Sequence, residues 1–145
     1  MNTSQLISVA NALVEPGRGL LAADESGPTI AKRFKEIDLE STEENRLAYR
    51  RLLLTTPGIE EFLSGVILFD ETIRQGAEDG TPLPQVLSDK GVIPGIKVDR
   101  GAKPLAGFDG EKVTEGLDGL RDRMGEYYEL GARFAKWRAV IAIGD

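Results

Sequence analysis

Apolar positions along this chain follow two rhythms, one helical and one nearly continuous. Leu6, Val9, Ala10 and Leu13 recur at i, i+3, i+4 and i+7 behind Thr3 and Ser4, which predicts a short amphipathic helix stopped by Pro16-Gly17. Residues 19–23 are too few and too apolar for a surface helix and read as a strand. Ile30, Phe34 and Ile37 then resume helical spacing after Ser26-Gly27-Pro28-Thr29. Ser41 and Glu44 form a capping box ahead of a second helical run through Leu47, Arg50, Arg51 and Leu54, closed by Thr55-Thr56-Pro57-Gly58. Residues 65–69 predict a buried strand, residues 84–89 a single helical turn, and residues 95–98 a third strand. A Gly- and Pro-rich loop follows, and its Asp109-Gly110 pair predicts a small hairpin. Leu117, Leu120, Met124 and Tyr127 mark a helix that Gly131 caps, and residues 134–143 predict the longest strand.

Four strands alternating with helical segments imply right-handed βαβ crossovers and a parallel sheet covered on both faces, in a single α/β domain without repeat or linker. Three of the strand regions carry charge, however: Gly19-Leu-Leu-Ala-Ala-Asp24-Glu-Ser26, Gly95-Ile-Lys97-Val-Asp99-Arg-Gly101 and Phe134-Ala-Lys136-Trp-Arg138. An ionised group inside a packed sheet is costly unless paired. Side chains alternate along a strand, so Ala22 and Asp24 share a face, as do Lys97 and Asp99, and as do Lys136 and Arg138. Asp24 and Lys97 lie at C-terminal strand ends, where parallel α/β folds bind ligands.

A carboxylate among several cations suits a dianionic phosphate substrate and proton transfer beside a carbonyl. A desolvated lysine near other cations is a candidate nucleophile or proton shuttle, with Asp24 as base or orienting group. Structural readings stand beside these. Asp24 also suits capping of the next helix, and Lys97, Lys136 and Arg138 also suit ion pairs at a rim. Ser26 and Thr29 at a helix start, with Arg33 one turn on, form a second candidate cluster able either to cradle phosphate or to cap the helix.

Composition narrows the chemistry. The 145 residues contain neither His nor Cys, so Lys, Asp, Glu and Tyr must carry any reaction, and no disulfide framework exists. The net charge of −6 argues against nucleic acid or an anionic membrane as partner, while leaving room for a local basic pocket. No apolar run is long enough to span a bilayer and no leader pattern opens the chain, which predicts a cytoplasmic protein. Nucleotide-loop and zinc-protease motifs are missing from the sequence, and no metal or cofactor is expected.

The charged runs, together with Ile30-Ala-Lys-Arg33, Thr42-Glu-Glu-Asn-Arg46, Gly65-Val-Ile-Leu-Phe-Asp-Glu71, Pro84-Gln-Val86 and Gly116-Leu-Asp-Gly-Leu120, closely resemble the class I fructose-1,6-bisphosphate aldolases. These are metal-independent enzymes that work through a Schiff base. The resemblance spans nearly the whole chain and implies a (β/α)8 TIM barrel with its site at the C-terminal strand ends. It further implies that Asp24 assists carbinolamine formation and carbon–carbon cleavage, that Lys136 positions the reacting carbonyl, and that Lys97 and Arg138 line the same pocket. Ser26, Arg33 and Arg46 match positions associated with substrate phosphate. Thr29 stands where the animal enzymes have a phosphate-binding Ser and keeps the hydroxyl.

A barrel of this type needs eight strands and typically about 250 residues. The 145 residues are therefore expected to form the first four βα units, a half-barrel without the family's Schiff-base lysine on strand six or its glutamates on strand five. The complete enzyme is expected to split fructose 1,6-bisphosphate into dihydroxyacetone phosphate and glyceraldehyde 3-phosphate and to form tetramers, as relatives commonly do, with the half-barrel inactive alone. Two alternatives remain at this stage: Lys136 is itself the Schiff-base lysine, as in transaldolase-like barrels, or two half-barrels pair into a non-enzymatic phosphate-binding scaffold.

Overall fold

Strands of nearly continuous apolar character pair best with one another, and that preference builds the sheet. The computed structural model describes residues 2–141 and 143. Strand β1 (Gly19–Ala23), β2 (Leu63–Leu68), β3 (Ile93–Lys97) and β6 (Phe134–Lys136) form one parallel sheet in the order β1-β2-β3-β6. Each strand thus lies beside its predecessor in the sheet, and helical segments make every crossover. Helices α2 (Gly27–Lys35) and α3 (Glu43–Thr55) link β1 to β2, and α4 (Asp70–Ile73) and α5 (Leu83–Asp89) link β2 to β3. Between β3 and β6 the chain makes an antiparallel hairpin, β4 (Ala102–Pro104) with β5 (Lys112–Thr114), and then α6 (Leu120–Glu129).

One face of the sheet carries the core. Ala23, Val66, Leu68, Ile96 and Val98 pack there against Leu54 of α3, Ile73 of α4, Leu83 and Leu87 of α5 and Tyr127 of α6, all buried. The alternate residues form the other face: Leu20, Ala22, Ile67, Lys97, Phe134 and Lys136, with Gly65 and Gly95 between them. Leu20 is 47% exposed, so the expectation of a sheet covered on both faces fails at β1. The two glycines keep that open face low. At Gly95, paired in register with Phe134, a Cβ would overlap the Phe134 ring.

Helix α1 (Thr3–Leu13) forms where its periodicity places it, with the Asn2 side chain accepting from the Ser4 N–H at 3.1 Å. None of its residues is buried, although the Leu13 carbonyl accepts the Ser64 hydroxyl at 2.8 Å. The cap of α3 falls one residue later than the predicted box. Thr42, not Ser41, is the N-cap and accepts the Asn45 N–H at 3.1 Å. That frame places Glu43 and Glu44 in the first turn, where the helix dipole favours them.

Four other expectations are corrected. Ile37 and Leu117 fall outside their helices and are each 70% exposed. Residues 84–89 are most of a seven-residue helix rather than one turn. The one-turn helix α4 went unpredicted because four residues leave no periodicity to read. The strand expected over residues 134–143 ends at Lys136. Its partner β3 ends at Lys97, so the ladder has nothing further to pair with, and the Arg138 N–H turns to a carboxylate instead. Part of the predicted stretch, residue 142, lies outside the described residues.

Candidate active site

All four parallel strands point the same way, so their C-terminal ends meet at one rim. Residues that follow the strands on the open face enclose a cavity of ≈ 700 Å³, lined by Ala22, Asp24, Phe69, Lys97, Asp99, Lys136 and Arg138 among others. Helix α2 adds Ser26, Thr29 and Arg33. Seven of the eight sequence-derived site residues line this cavity. The exception is Arg46, which makes a two-pronged ion pair with Glu71 (2.8 and 2.6 Å) and donates to the Ser41 carbonyl at 2.7 Å. That pairing lowers the Glu71 pKa. It makes Arg46 a tie between α3 and α4 rather than a lining group.

Asp24 and Lys136 come from the two outer strands and meet across the open face, with Lys136 Nζ donating to Asp24 Oδ2 at 2.6 Å. Asp24 does not cap α2. Ser26 holds the N-cap position, and its hydroxyl lies 3.2 Å from the Thr29 hydroxyl instead of bonding a helix N–H. The Asp24 side chain is 9% exposed and that of Lys136 31%, so the pair is covered on the protein side and open to the cavity.

Between them, Lys97 is held by Asp99. Its ammonium donates to Asp99 Oδ1 at 2.8 Å and to the Asp99 carbonyl at 2.7 Å. Burial works to raise the Asp99 pKa, but the hydrogen bond and charge of Lys97, with N–H groups of Arg138 and Gly101, outweigh it and hold the carboxyl below its usual range.

Glu25, beside Asp24 in sequence, faces another way. It is ion-paired with buried Arg50 and with Arg33, and accepts from the Tyr49 hydroxyl at 3.2 Å. Burial again acts upward on its pKa, and the Arg50 hydrogen bond with the charges of Arg50 and Arg33 brings it below normal. Arg33 therefore reaches the cavity from a carboxylate anchor.

Sequence reasoning did not assign Asp70, Arg123 and Tyr127 to the site, although all three line the cavity. Tyr127 donates to Asp70 Oδ1 at 2.8 Å, and Arg123 donates to the carbonyls of Val98 (3.1 Å) and Gly116 (2.5 Å). Asp70 lies two residues past the end of β2, where it opens α4; the place that Asp24 takes after β1 is taken after β2 by Phe69. Tyr127 reads as a core residue because its ring is one; only its hydroxyl reaches the polar side.

The lining holds more cations (Arg33, Lys97, Arg100, Arg123, Lys136, Arg138) than carboxylates (Asp24, Glu25, Asp70, Asp99) in a chain of net charge −6. Arg100 and Arg138 have no carboxylate within ion-pair distance among the described residues. The cavity is thus a basic concavity on an acidic protein, suited to an anionic ligand. Among the described residues no cluster of His, Cys, Asp or Glu suits a metal ion, and no helix is long and apolar enough to cross a membrane.

The chain that forms this parallel α/β sheet and its cation-rich cavity has clear relatives in sequence and fold. A family model described as "Fructose-bisphosphate aldolase class-I" matches residues 5–145, and the chain belongs to that family. It is 63% identical over all 145 residues to a protein of Xanthomonas campestris pv. campestris named "Probable fructose-bisphosphate aldolase class 1", covering 43% of that protein. It is 58% identical over 140 residues to "Fructose-bisphosphate aldolase 7, cytosolic" of Arabidopsis thaliana, covering 97% of this chain and 39% of the relative. Among solved structures, the fructose-bisphosphate aldolase of Plasmodium falciparum, in a ternary complex with TRAP and a small-molecule inhibitor, superposes with a TM-score of 0.94 at 52% identity. That match covers 97% of this chain and 41% of the other. The chain spans about two fifths of the length of these relatives.

Proposed function

We propose that these 145 residues are the first four βα units of an eight-unit barrel and supply one wall of a fructose 1,6-bisphosphate aldolase site. The observation that carries this reading is the Asp24–Lys136 pair, which spans the open face of the sheet at 2.6 Å beside the Lys97–Asp99 pair. In the complete barrel a lysine on strand six forms the Schiff base with the sugar ketone. Asp24 then takes and returns protons during carbinolamine formation and carbon–carbon cleavage, a role for which a positioned carboxylate contributes about 10²–10⁴-fold. Lys136 holds the reacting carbonyl and its developing charge, Lys97 lines the same pocket beside it with Arg138, and Ser26, Thr29 and Arg33 face a phosphate group of the substrate. The enzyme works in the cytoplasm as a tetramer, and the 145-residue segment alone does not turn over substrate.

The test joins this segment to the C-terminal remainder of the Xanthomonas campestris relative. The chimera is expected to cleave fructose 1,6-bisphosphate while the segment alone does not. Borohydride trapping with dihydroxyacetone phosphate, followed by peptide mapping, is expected to label a lysine outside the segment. An adduct on Lys136 overturns that assignment in favour of a Lys136 nucleophile. A folded chimera without cleavage activity overturns the substrate reading.

A further inference from the structure

Lys97 and Arg138 reach the cavity from neighbouring strands, and a single carboxylate grips both. The Asp99 side chain is 1% exposed, yet it has partners on each side. Oδ1 accepts the Lys97 ammonium at 2.8 Å and the Gly101 N–H at 3.1 Å, and Oδ2 accepts the Arg138 N–H at 3.3 Å. The Asp99 carbonyl takes a second Lys97 donor at 2.7 Å. An ammonium has three donors, so one remains for a ligand in the cavity that Lys97 lines.

We infer that Asp99 is the positioning residue for two of the cavity's cations, holding Lys97 by its side chain and Arg138 by its main-chain N–H, so that both are ordered before an anionic group arrives. The inference rests on the phosphorylated-sugar reading of the cavity. Three features carry it. Lysine loses much rotamer freedom when ordered, so a Lys97 already held by two bonds meets its ligand with less entropy left to lose. Arg138 lies just past the end of β6, where no ladder bond fixes it, and the Asp99 carboxylate takes over that task together with the Thr114 hydroxyl, which donates to the Arg138 carbonyl at 2.8 Å. Finally, a group needed only for the turn at Gly101 would require one acceptor, whereas Asp99 engages both oxygens and a charge.

The test is Asp99→Asn in the chimera with the Xanthomonas campestris remainder. Asparagine keeps the shape and one oxygen but removes the charge and places an N–H₂ against a donor. Losing a charge-assisted hydrogen bond of this kind is expected to raise KM for fructose 1,6-bisphosphate about tenfold, and the inhibition constant for inorganic phosphate likewise, with a smaller change in kcat. Reductive methylation of Lys97, mapped by mass, is expected to speed up, as is hydrogen exchange of the Arg138 amide. In a Lys97→Met background Asp99→Asn is expected to raise KM by a smaller factor than in the unsubstituted chimera, the part that runs through Arg138. A lower melting temperature with unchanged KM and unchanged Lys97 labelling overturns the inference. If Asp99→Asn does not fold, Asp99→Glu, which keeps the charge but moves it by one methylene, is read the same way, and an unchanged KM again overturns it. Loss of aldol cleavage by the unsubstituted chimera removes the substrate reading, whereas labelling and exchange still decide the role of Asp99.

Discussion

Asp24 and Glu25 are adjacent, both carboxylates and both buried, yet the fold uses them in opposite ways. Glu25 is compensated on every side: Arg50 binds its carboxylate and its carbonyl, Arg33 binds the other oxygen, and Tyr49 adds a hydroxyl. The main partner, Arg50, is itself 2% exposed. Among the described residues Asp24 has one ion-pair partner, Lys136, contributed by the far edge of the sheet and open to the cavity. An ion cluster with several donors on one carboxylate stabilises a shape, because few of its acceptor sites are left open. A carboxylate with a single cation, half-open to the cavity, keeps capacity to exchange that partner for a ligand or a proton. The difference separates a multiply compensated carboxylate from a singly compensated one more clearly than burial does.

The widest break in this comparison comes from Asp24→Asn in the full-length chimera. It is expected to lower kcat by about 10²–10⁴-fold, measured by steady-state cleavage, while the urea midpoint moves little. A large stability loss with retained kcat would place Asp24 with Glu25. Arg50→Met gives the converse result. It leaves a buried carboxylate short of its main partner and is expected to destabilise the protein by about 3 kcal/mol in urea unfolding, with kcat of the folded protein retained.

The smallest and most diffuse effect is acid sensitivity. Glu25, Asp70 and Asp99 all have pKa values lowered in the fold, in each case against the upward pull of burial, by Arg50, by Arg74 with Tyr127, and by Lys97 respectively. Groups with depressed folded pKa values contribute stability that is present above the ordinary carboxylate value of about 4 and is lost as pH falls below it through the lowered values. Urea midpoints measured from pH 6 downward are expected to hold until about pH 4 and then to fall. Glu25→Gln is expected to flatten that fall, and an unchanged slope would remove Glu25 from the titrating set.

Much of the site was legible because strand alternation is local. Once residues 19–23, 95–98 and 134–143 were read as parallel strands, Asp24 and Lys97 fell at C-terminal ends, and alternation let Lys136 aim at the same space; only the early end of β6 puts Lys136 at that rim as well. The start of α3 was readable to within a residue, at Thr42, because capping is also local, whereas α6 starts at Leu120, three residues past the Leu117 that its periodicity includes. What escaped depends on distant partners. Arg46 looked like a cavity residue until Glu71, 25 positions away, was found beside it. The length of β6 followed the length of β3 rather than its own hydrophobicity, so the apolar Val140 and Ile141 gave a false signal. Asp70 was hidden because nothing in its neighbourhood announces that a tyrosine 57 residues later will bond it.

Gly95 carries the last consequence. With no side chain of its own, it lets the Phe134 ring settle directly over the β3 backbone, two residues before Lys136 on the same face. The ring thereby covers β3 two residues short of the Lys97–Lys136 register pair. A Cβ added there would run into the far edge of that ring, which would have to leave the open face it now covers. How flat that face lies is thus set by a residue with no side chain to show.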